Sequence, residues 1–397
     1  MSNKKIITFL DGATEKVAVF TPEAVAGDTF TFTVTVSPGG TFTLPLGTSG
    51  AFVQNFTVDW GDLSSSTITA YDDADKTHTY ASGGTYTVVM DGACEYFGFD
   101  NGGDRLKIIS LASFTGDMGF KTFNCYGCTN LASIVPFGTM AALTTAVNLF
   151  RACTSLGTIP AGLLDGCTGI TSADQAFQQC PIASIPTDLF RYNTAITSFF
   201  SVFNQCTSLT SIPVDLFRYN VSAISMLSLF NLCSSLTSIP VDLLRYNILA
   251  SNLGSVFQNC SSLTSVPVDL FRYNTAVTNL GNVFRNCTSL ATVPADLFRY
   301  NTACVTFTNT FNGCTKLQQH TTIFCAAGEE STRFLNQSIG FTSCFSRTSF
   351  TGTQGTAPDL WNYNYGTGTP TTTTCWSGAG NSLTSLTNYA DIPVAWK

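Results

Sequence analysis

Four polar residues recur in fixed order along this chain. The segment Pro-x-Asp-Leu-Phe/Leu-Arg-Tyr-Asn occupies 186–193, 213–220, 240–247, 267–274 and 294–301, each copy starting 27 residues after the last. An Asp three residues before an Arg has the spacing that meets on a helical face. Asp188, Asp215, Asp242, Asp269 and Asp296 are therefore expected to neutralise Arg191, Arg218, Arg245, Arg272 and Arg299. If each copy is one layer of a stack, adjacent arginines lie about 5 Å apart and repel by about 0.8 kcal/mol even in bulk water. The acidic column offsets that repulsion, and the Asn can bond backbone where the helical turn ends. The same residues have another use, in recognition: the arginines with Tyr192, Tyr219, Tyr246, Tyr273 and Tyr300 would form an exposed strip whose rings stack on sugars and whose guanidinium and amide groups donate hydrogen bonds.

Cysteine supplies a second regular series. Of 15 cysteines, Cys153, Cys180, Cys206, Cys233, Cys260, Cys287 and Cys314 lie 27, 26, 27, 27, 27 and 27 residues apart. That is one repeat position rather than a set of bridged pairs, and a buried thiol serves there as a small filler. A zinc site wants four ligands, usually as two close pairs, and Cys125-Cys128 in NCYGC is a single pair. No metal and no cofactor is expected.

Catalytic constellations are hard to assemble. The chain has 2 histidines, His78 and His320, and lacks Gly-x-Ser-x-Gly and His-Glu-x-x-His. The repeat carboxylates face arginines, so no free acid pair for glycoside hydrolysis stands out. Asp72, Asp73 and Asp75, and Asp100 with Asp104, lack the spacing of a calcium loop. The expectation is a protein that is not an enzyme.

Bulk composition narrows the partners. Of 397 residues, 44% are apolar but only 11% charged, with a net charge of −7. A fully folded chain with neutral, hydroxyl-rich surfaces fits this balance, and no basic run exists to gather nucleic acid. The longest apolar runs fall short of a membrane span. Five largely apolar residues, Ile6 to Leu10, are too few for a secretory leader, which points to a mature chain or to a route other than general secretion.

Those groups must be carried by a repeating scaffold, since a fixed period of this length marks units that bury their apolar faces only against neighbours. Aligned on cysteine, each unit reads Phe-x-x-Cys-Thr/Ser-Ser-Leu-x-x-Ile/Val-Pro-x-Asp-Leu-Phe-Arg-Tyr-Asn and then a variable stretch. LTSIP predicts a short strand stopped by proline, DLFRYN a short helix, and segments such as AVTNLGNVF a second extended piece. This pattern resembles the BspA-type leucine-rich repeats of bacterial surface proteins and bacteriophage virion proteins, over roughly 122–346.

Upstream, FTVDWGDLSSSTITAYDDADKTHTYASGGTYTVV resembles the PKD-type β-sandwich, with Trp60, Gly61 and Asp62, then His78 and Tyr80, then Gly84, Tyr86 and Val88 at its hallmark places. Leu63 stands where that family has glycine. Trp60, Asp62, His78 and Tyr80 are expected to be structural. Period-2 apolarity in TFTFTVTV, FTVDW and TYTVV supports half-buried strands independently. The expected layout is mainly β: a PKD/Ig-like β-sandwich at 1–92, a joining segment and N-terminal cap at 93–121, a leucine-rich-repeat solenoid at 122–346 and a Trp-rich C-terminal cap at 347–397.

These resemblances imply a structural or adhesion protein on the surface of a bacteriophage particle, as a decoration or fibre-like component. Its partners would be other virion proteins through the N-terminal domain, and a host-surface protein or polysaccharide through the repeats. Self-association is left open. The alternatives are a bacterial cell-surface adhesin, extracellular in location, and a glycan-active enzyme.

Overall fold

The computed structural model describes residues 5–11, 14–20, 27–47, 50–318, 322–346, 355–378 and 386–397. The fold is mainly β. Helix is limited, among the described residues, to four single 3-10 turns at Ala74–Lys76, Leu360–Asn362, Tyr389–Asp391 and Val394–Trp396. No helix among them is long and apolar enough to cross a membrane.

Strands β1 (Lys5–Asp11) and β2 (Thr14–Phe20) pair as an antiparallel hairpin separate from the main sheet. There follow β3 (Thr29–Val36), β4 (Thr41–Thr43), β5 (Gln54–Asp59), β6 (Ser65–Ile68), β7 (Thr77–Thr79), β8 (Gly84–Cys94), β9 (Tyr96–Gly98), β10 (Ile108–Thr115) and β11 (Thr122–Asn124). The main sheet is antiparallel in the order β10-β3-β8-β5-β6, and β4 pairs with β7 as a smaller ladder. Alternation along β3 sends Phe30, Phe32, Val34 and Val36 inward, where Phe32 meets Phe42 of β4 at 5.8 Å.

The segment 93–121, expected as a joining segment and N-terminal cap, holds strands of its own. β8 runs on to Cys94, β10 lies antiparallel to β3 at the sheet edge, and β9 pairs in parallel with β11. A parallel bridge from Ser110 to Ser133 then carries the sheet directly into the first repeat.

From there the chain winds in layers. Isolated parallel bridges run Thr145, Ser172, Ser198, Ser225, Asn252, Asn279 and Thr306, joining equivalent residues of successive units. Neighbouring backbone bonds tie the same layers: the Phe177, Phe203, Phe230 and Phe257 amides donate to the carbonyls of Val202, Leu229, Val256 and Val283 at 2.9–3.1 Å. The expected strand and short helix of each unit are absent. Among the described residues the LTSIP position contributes bridges at Ser110–Ser133 and Ser265–Thr292, and DLFRYN is a run of β-turns, Arg218 N bonding Asp215 O and Asn220 N bonding Phe217 O. Asp215, Asp269 and Asp296 hold φ of +65°, +64° and +61°, which no α-helix accommodates.

Two further left-handed positions per unit explain much of the variable stretch. Ser201 and Gln205, Ser228 and Leu232, Ser255 and Asn259, and Asn282 and Asn286 all have positive φ. Asn tolerates that region better than most side chains. Inside the stack, Phe150, Phe177, Phe203, Phe230, Phe257, Phe284, Phe311 and Phe345 form one column, with ring centroids 5.5–5.9 Å apart. Trp376 closes it, stacked on Phe345 at 4.4 Å.

The tail is more than a cover. Although the period lengthens, the bridge column continues through Gly340 and Thr371, and Phe345 N donates to Cys375 O at 2.9 Å.

The Trp-Gly-Asp turn shows where local backbone is tight. At Gly61 φ is +82° and a Cβ would stand 2.4 Å from the Thr87 carbonyl oxygen, so glycine is required. Leu63 holds φ of +72° with its side chain fully in solvent. Leu63→Gly is expected to relieve that strain and raise stability by about 0.5–1 kcal/mol, the gain being trimmed by the freer unfolded chain. A higher urea midpoint measures it.

Candidate functional site

The turn that carries Asp, Arg and Tyr faces solvent. Arg218 pairs with Asp215 at 3.2 Å, Arg245 with Asp242 at 3.5 Å, Arg272 with Asp269 at 3.3 Å and Arg299 with Asp296 at 3.8 Å. Among the described residues Asp188 and Arg191 do not close such a pair. These contacts are exposed, so each contributes at most about 1 kcal/mol.

Tyrosine is what organises the row. Arg191 lies over Tyr192 at 5.4 Å and over Tyr219 of the next layer at 5.8 Å. Arg218 sits over Tyr219 and Tyr246, Arg245 over Tyr246 and Tyr273, and Arg272 over Tyr273 and Tyr300, all at 5.0–5.9 Å. The result is an outer ladder of alternating cations and rings. Like charges that would repel are separated by π-faces, each contact worth about 0.5–1 kcal/mol at an exposed site. Much of each ring face is already taken, so a ligand meets ring edges, hydroxyls and guanidinium N–H groups.

The Asn of the same segment turns inward. Asn220 Nδ2 donates to Phe190 O at 3.1 Å and Asn193 O at 2.9 Å, and Asn247, Asn274 and Asn301 repeat the pattern one layer at a time. It bonds the layer below rather than its own helix end. After Asn301 the series passes to Arg333, buried, whose Nη2 donates to Phe298 O at 3.2 Å and Asn301 O at 3.1 Å.

All 15 cysteines are buried, and none forms a disulfide among the described residues. They are not inert filler. Cys180, Cys206, Cys233, Cys260 and Cys287 each donate Sγ–H to the phenylalanine carbonyl of the preceding layer at 2.9–3.2 Å. Burial pushes the Cys180 and Cys260 thiols up to about 12. Cys125 and Cys128 lie close enough to share a hydrogen bond, and burial raises Cys125 well above the ordinary thiol range. No cluster of three or more potential metal ligands occurs among the described residues.

The remaining polar groups hold loops. His78 Nε2 and Asp62 Oδ2 are 2.7 Å apart, the imidazole stacks on Trp60 at 5.0 Å, and Tyr80 OH donates to Trp60 O at 3.0 Å. Burial acts to raise the Asp62 carboxyl, but hydrogen bonds from Ser64 and His78 hold it below the usual range. Asp73 Oδ1 accepts from Asp75 N at 3.1 Å, and Asp104 Oδ2 accepts from Thr43 N at 2.7 Å while Oδ1 meets Lys107 at 2.6 Å. His320 lies outside the described residues.

Three features of this face escaped the reading of the sequence. Val214, Val241 and Val268 stand 61%, 62% and 64% exposed, an apolar row on the segment that carries the ladder. Their recurrence as an apolar letter beside an Asp was the available signal. Glu329 binds Arg299 through Nε at 3.0 Å and Nη2 at 2.5 Å, and Arg333 ends the asparagine series. Both fall outside the 27-residue register, so periodicity gave no notice of them.

No family model matches the sequence, and no curated protein does. Among solved structures the chain is similar to one in the "Structure of the Toll - Spatzle complex, a molecular hub in Drosophila development and innate immunity", at 13% identity and a TM-score of 0.23. The match covers 61% of this chain and 44% of that one, so the chain spans under half its length. A superposition that slight carries no argument about fold or function.

Two outcomes are expected. Asn247→Ala removes the side-chain donor to the Phe217 and Asn220 carbonyls, which keep only their turn N–H partners, and lowers stability by about 1–3 kcal/mol, read from urea unfolding. In mildly alkaline buffer the native thiols stay unreactive to Ellman's reagent and titrate only after unfolding.

Proposed function

We propose that this chain is a non-enzymatic structural and adhesion protein, displayed on a bacteriophage particle as a decoration or fibre-like component, which contacts the host surface or its glycans through its repeats. In this reading the N-terminal strands are a PKD/Ig-like sandwich that docks on other virion proteins. The layered turns are a leucine-rich-repeat solenoid whose last layers and Trp-rich end form the cap.

One observation carries the proposal: Arg and Tyr recur in an exposed row at the pitch of the layers, so polar donors are offered at regular intervals to an extended, repetitive ligand. Solenoids commonly place binding residues on one repeated position. A neutral polysaccharide suits this row, since Asp215, Asp242 and Asp269 cancel the charge of their arginines and leave hydrogen bonding rather than net attraction. The same pairing favours binding over glycoside hydrolysis, which needs a free acid and its partner carboxylate. The phage setting rests on the resemblance of the repeats. A bacterial cell surface would use the same chemistry in another place.

Replacing Tyr219, Tyr246 and Tyr273 together with Ala is expected to weaken binding to host cells or purified host polysaccharide about tenfold or more while far-ultraviolet circular dichroism stays unchanged. Equal binding by the triple variant ends the adhesive reading. Mass spectrometry of purified particles tests the setting: the chain's peptides should be present at structural stoichiometry.

A further inference from the structure

The outer ladder has an unfinished end. Arg191, Arg218, Arg245 and Arg272 each lie within about 6 Å of two tyrosine rings, their own and that of the following layer. Among the described residues Arg299 lies over Tyr300 alone, at 5.5 Å. The next tyrosine in the chain is Tyr363, whose ring packs on Phe334 at 5.5 Å and whose hydroxyl meets Cys325 Sγ at 3.0 Å, so it cannot serve as the next rung.

At this end an open recess of about 450 Å³ is lined by Arg299, Tyr300, Thr302, Glu329, Thr332 and Gln337, with Arg333 beside them. The Arg299 guanidinium is held in plane there by the two-point contact with Glu329, which itself accepts from Ala326 N at 3.1 Å. Such a fork fixes the plane and leaves the face away from Tyr300 without a ring. Arg333 is 94% buried by difference from its 6% exposure, and its Nη1 has no hydrogen-bond partner; Gln337 Oε1 is likewise buried and unpaired.

We propose that this recess binds the aromatic side chain of a protein partner, a tyrosine or tryptophan whose ring lies over Arg299 as the rung the chain itself omits. The exposed Thr302 and Thr332 hydroxyls supply the hydrogen bonds that the hydroxyl or indole N–H requires. The ligand is thus selected by a flat π-face with one polar edge, and an aliphatic side chain of similar bulk is refused. The site does not depend on the glycan reading, which concerns the rungs that are already complete.

The test uses the full chain and N-acetyl-tyrosinamide as probe, followed by saturation-transfer NMR, with N-acetyl-leucinamide as the aliphatic comparison. Saturable binding of the aromatic probe alone is expected. Arg299→Gln should weaken it about fivefold or more. Thr332→Trp, which keeps Arg299 and fills the recess from its wall, should abolish it. Arg151→Gln, which removes a guanidinium stacked on Tyr126 at 4.8 Å elsewhere, should change nothing. Absence of saturable binding, equal binding of the leucine probe, or indifference to both Arg299→Gln and Thr332→Trp overturns the proposal. No glycan is present, so the result is separate from that of the tyrosine triple variant.

Discussion

Buried carbonyls govern this molecule. A layer built from turns points peptide oxygens into the interior with one turn N–H each, as Phe190 O accepts from Asn193 N at 3.2 Å and Phe177 O from Cys180 N at 3.1 Å, and a second donor adds about 0.5–1.5 kcal/mol apiece. The protein answers with side chains. In every central layer an Asn amide reaches down to two carbonyls and a Cys thiol to a third, as Asn220 does for Phe190 and Asn193, and Cys206 for Phe177. The repeat is therefore a spacing of hydrogen-bond donors, and the phenylalanine column fills the space those bonds define.

Once the layers are locked in register from inside, the outer rows follow without further instruction. Any residue kept at one place in the unit becomes a line on the surface. Asp–Arg pairs and Arg–Tyr contacts then add little individually, because they are exposed. They set the character of the surface rather than its existence: neutral overall, rich in donors, and bordered by the row Val214, Val241 and Val268.

The period, the inward Phe and Cys rows and the alternating strands of the first domain are legible in the letters, since burial and repetition are properties of residue type and spacing. The helix expected at DLFRYN is not there, because its local propensity is weak beside the bonds between layers. Asp215, Asp269 and Asp296, residues that accept left-handed backbone, sit where a helix would have begun. The bridge column lies in the stretch read as a second extended piece, but its pairing is silent in the letters: a bridge such as Ser225–Asn252 is made by backbone and leaves the side chain free to vary. β10 was missed because its residues, IISLASFT, alternate weakly and its pairing with β3 contains two register shifts. Within the candidate surface the arginines and tyrosines were visible, but their interleaving required the third dimension.

Arg333 has a consequence for how such a chain changes length. Each asparagine amide donates to the layer beneath while its own carbonyl accepts from the next, so every step of the series is alike until something stops it. A guanidinium, longer than an amide and arriving from outside the register, makes the same two bonds to Phe298 and Asn301 in place of a further asparagine. Insertion or loss of whole units upstream would leave the contacts on either side of the series chemically unaltered, so the number of units can change while the strands before them and the layers after Arg333 keep their packing.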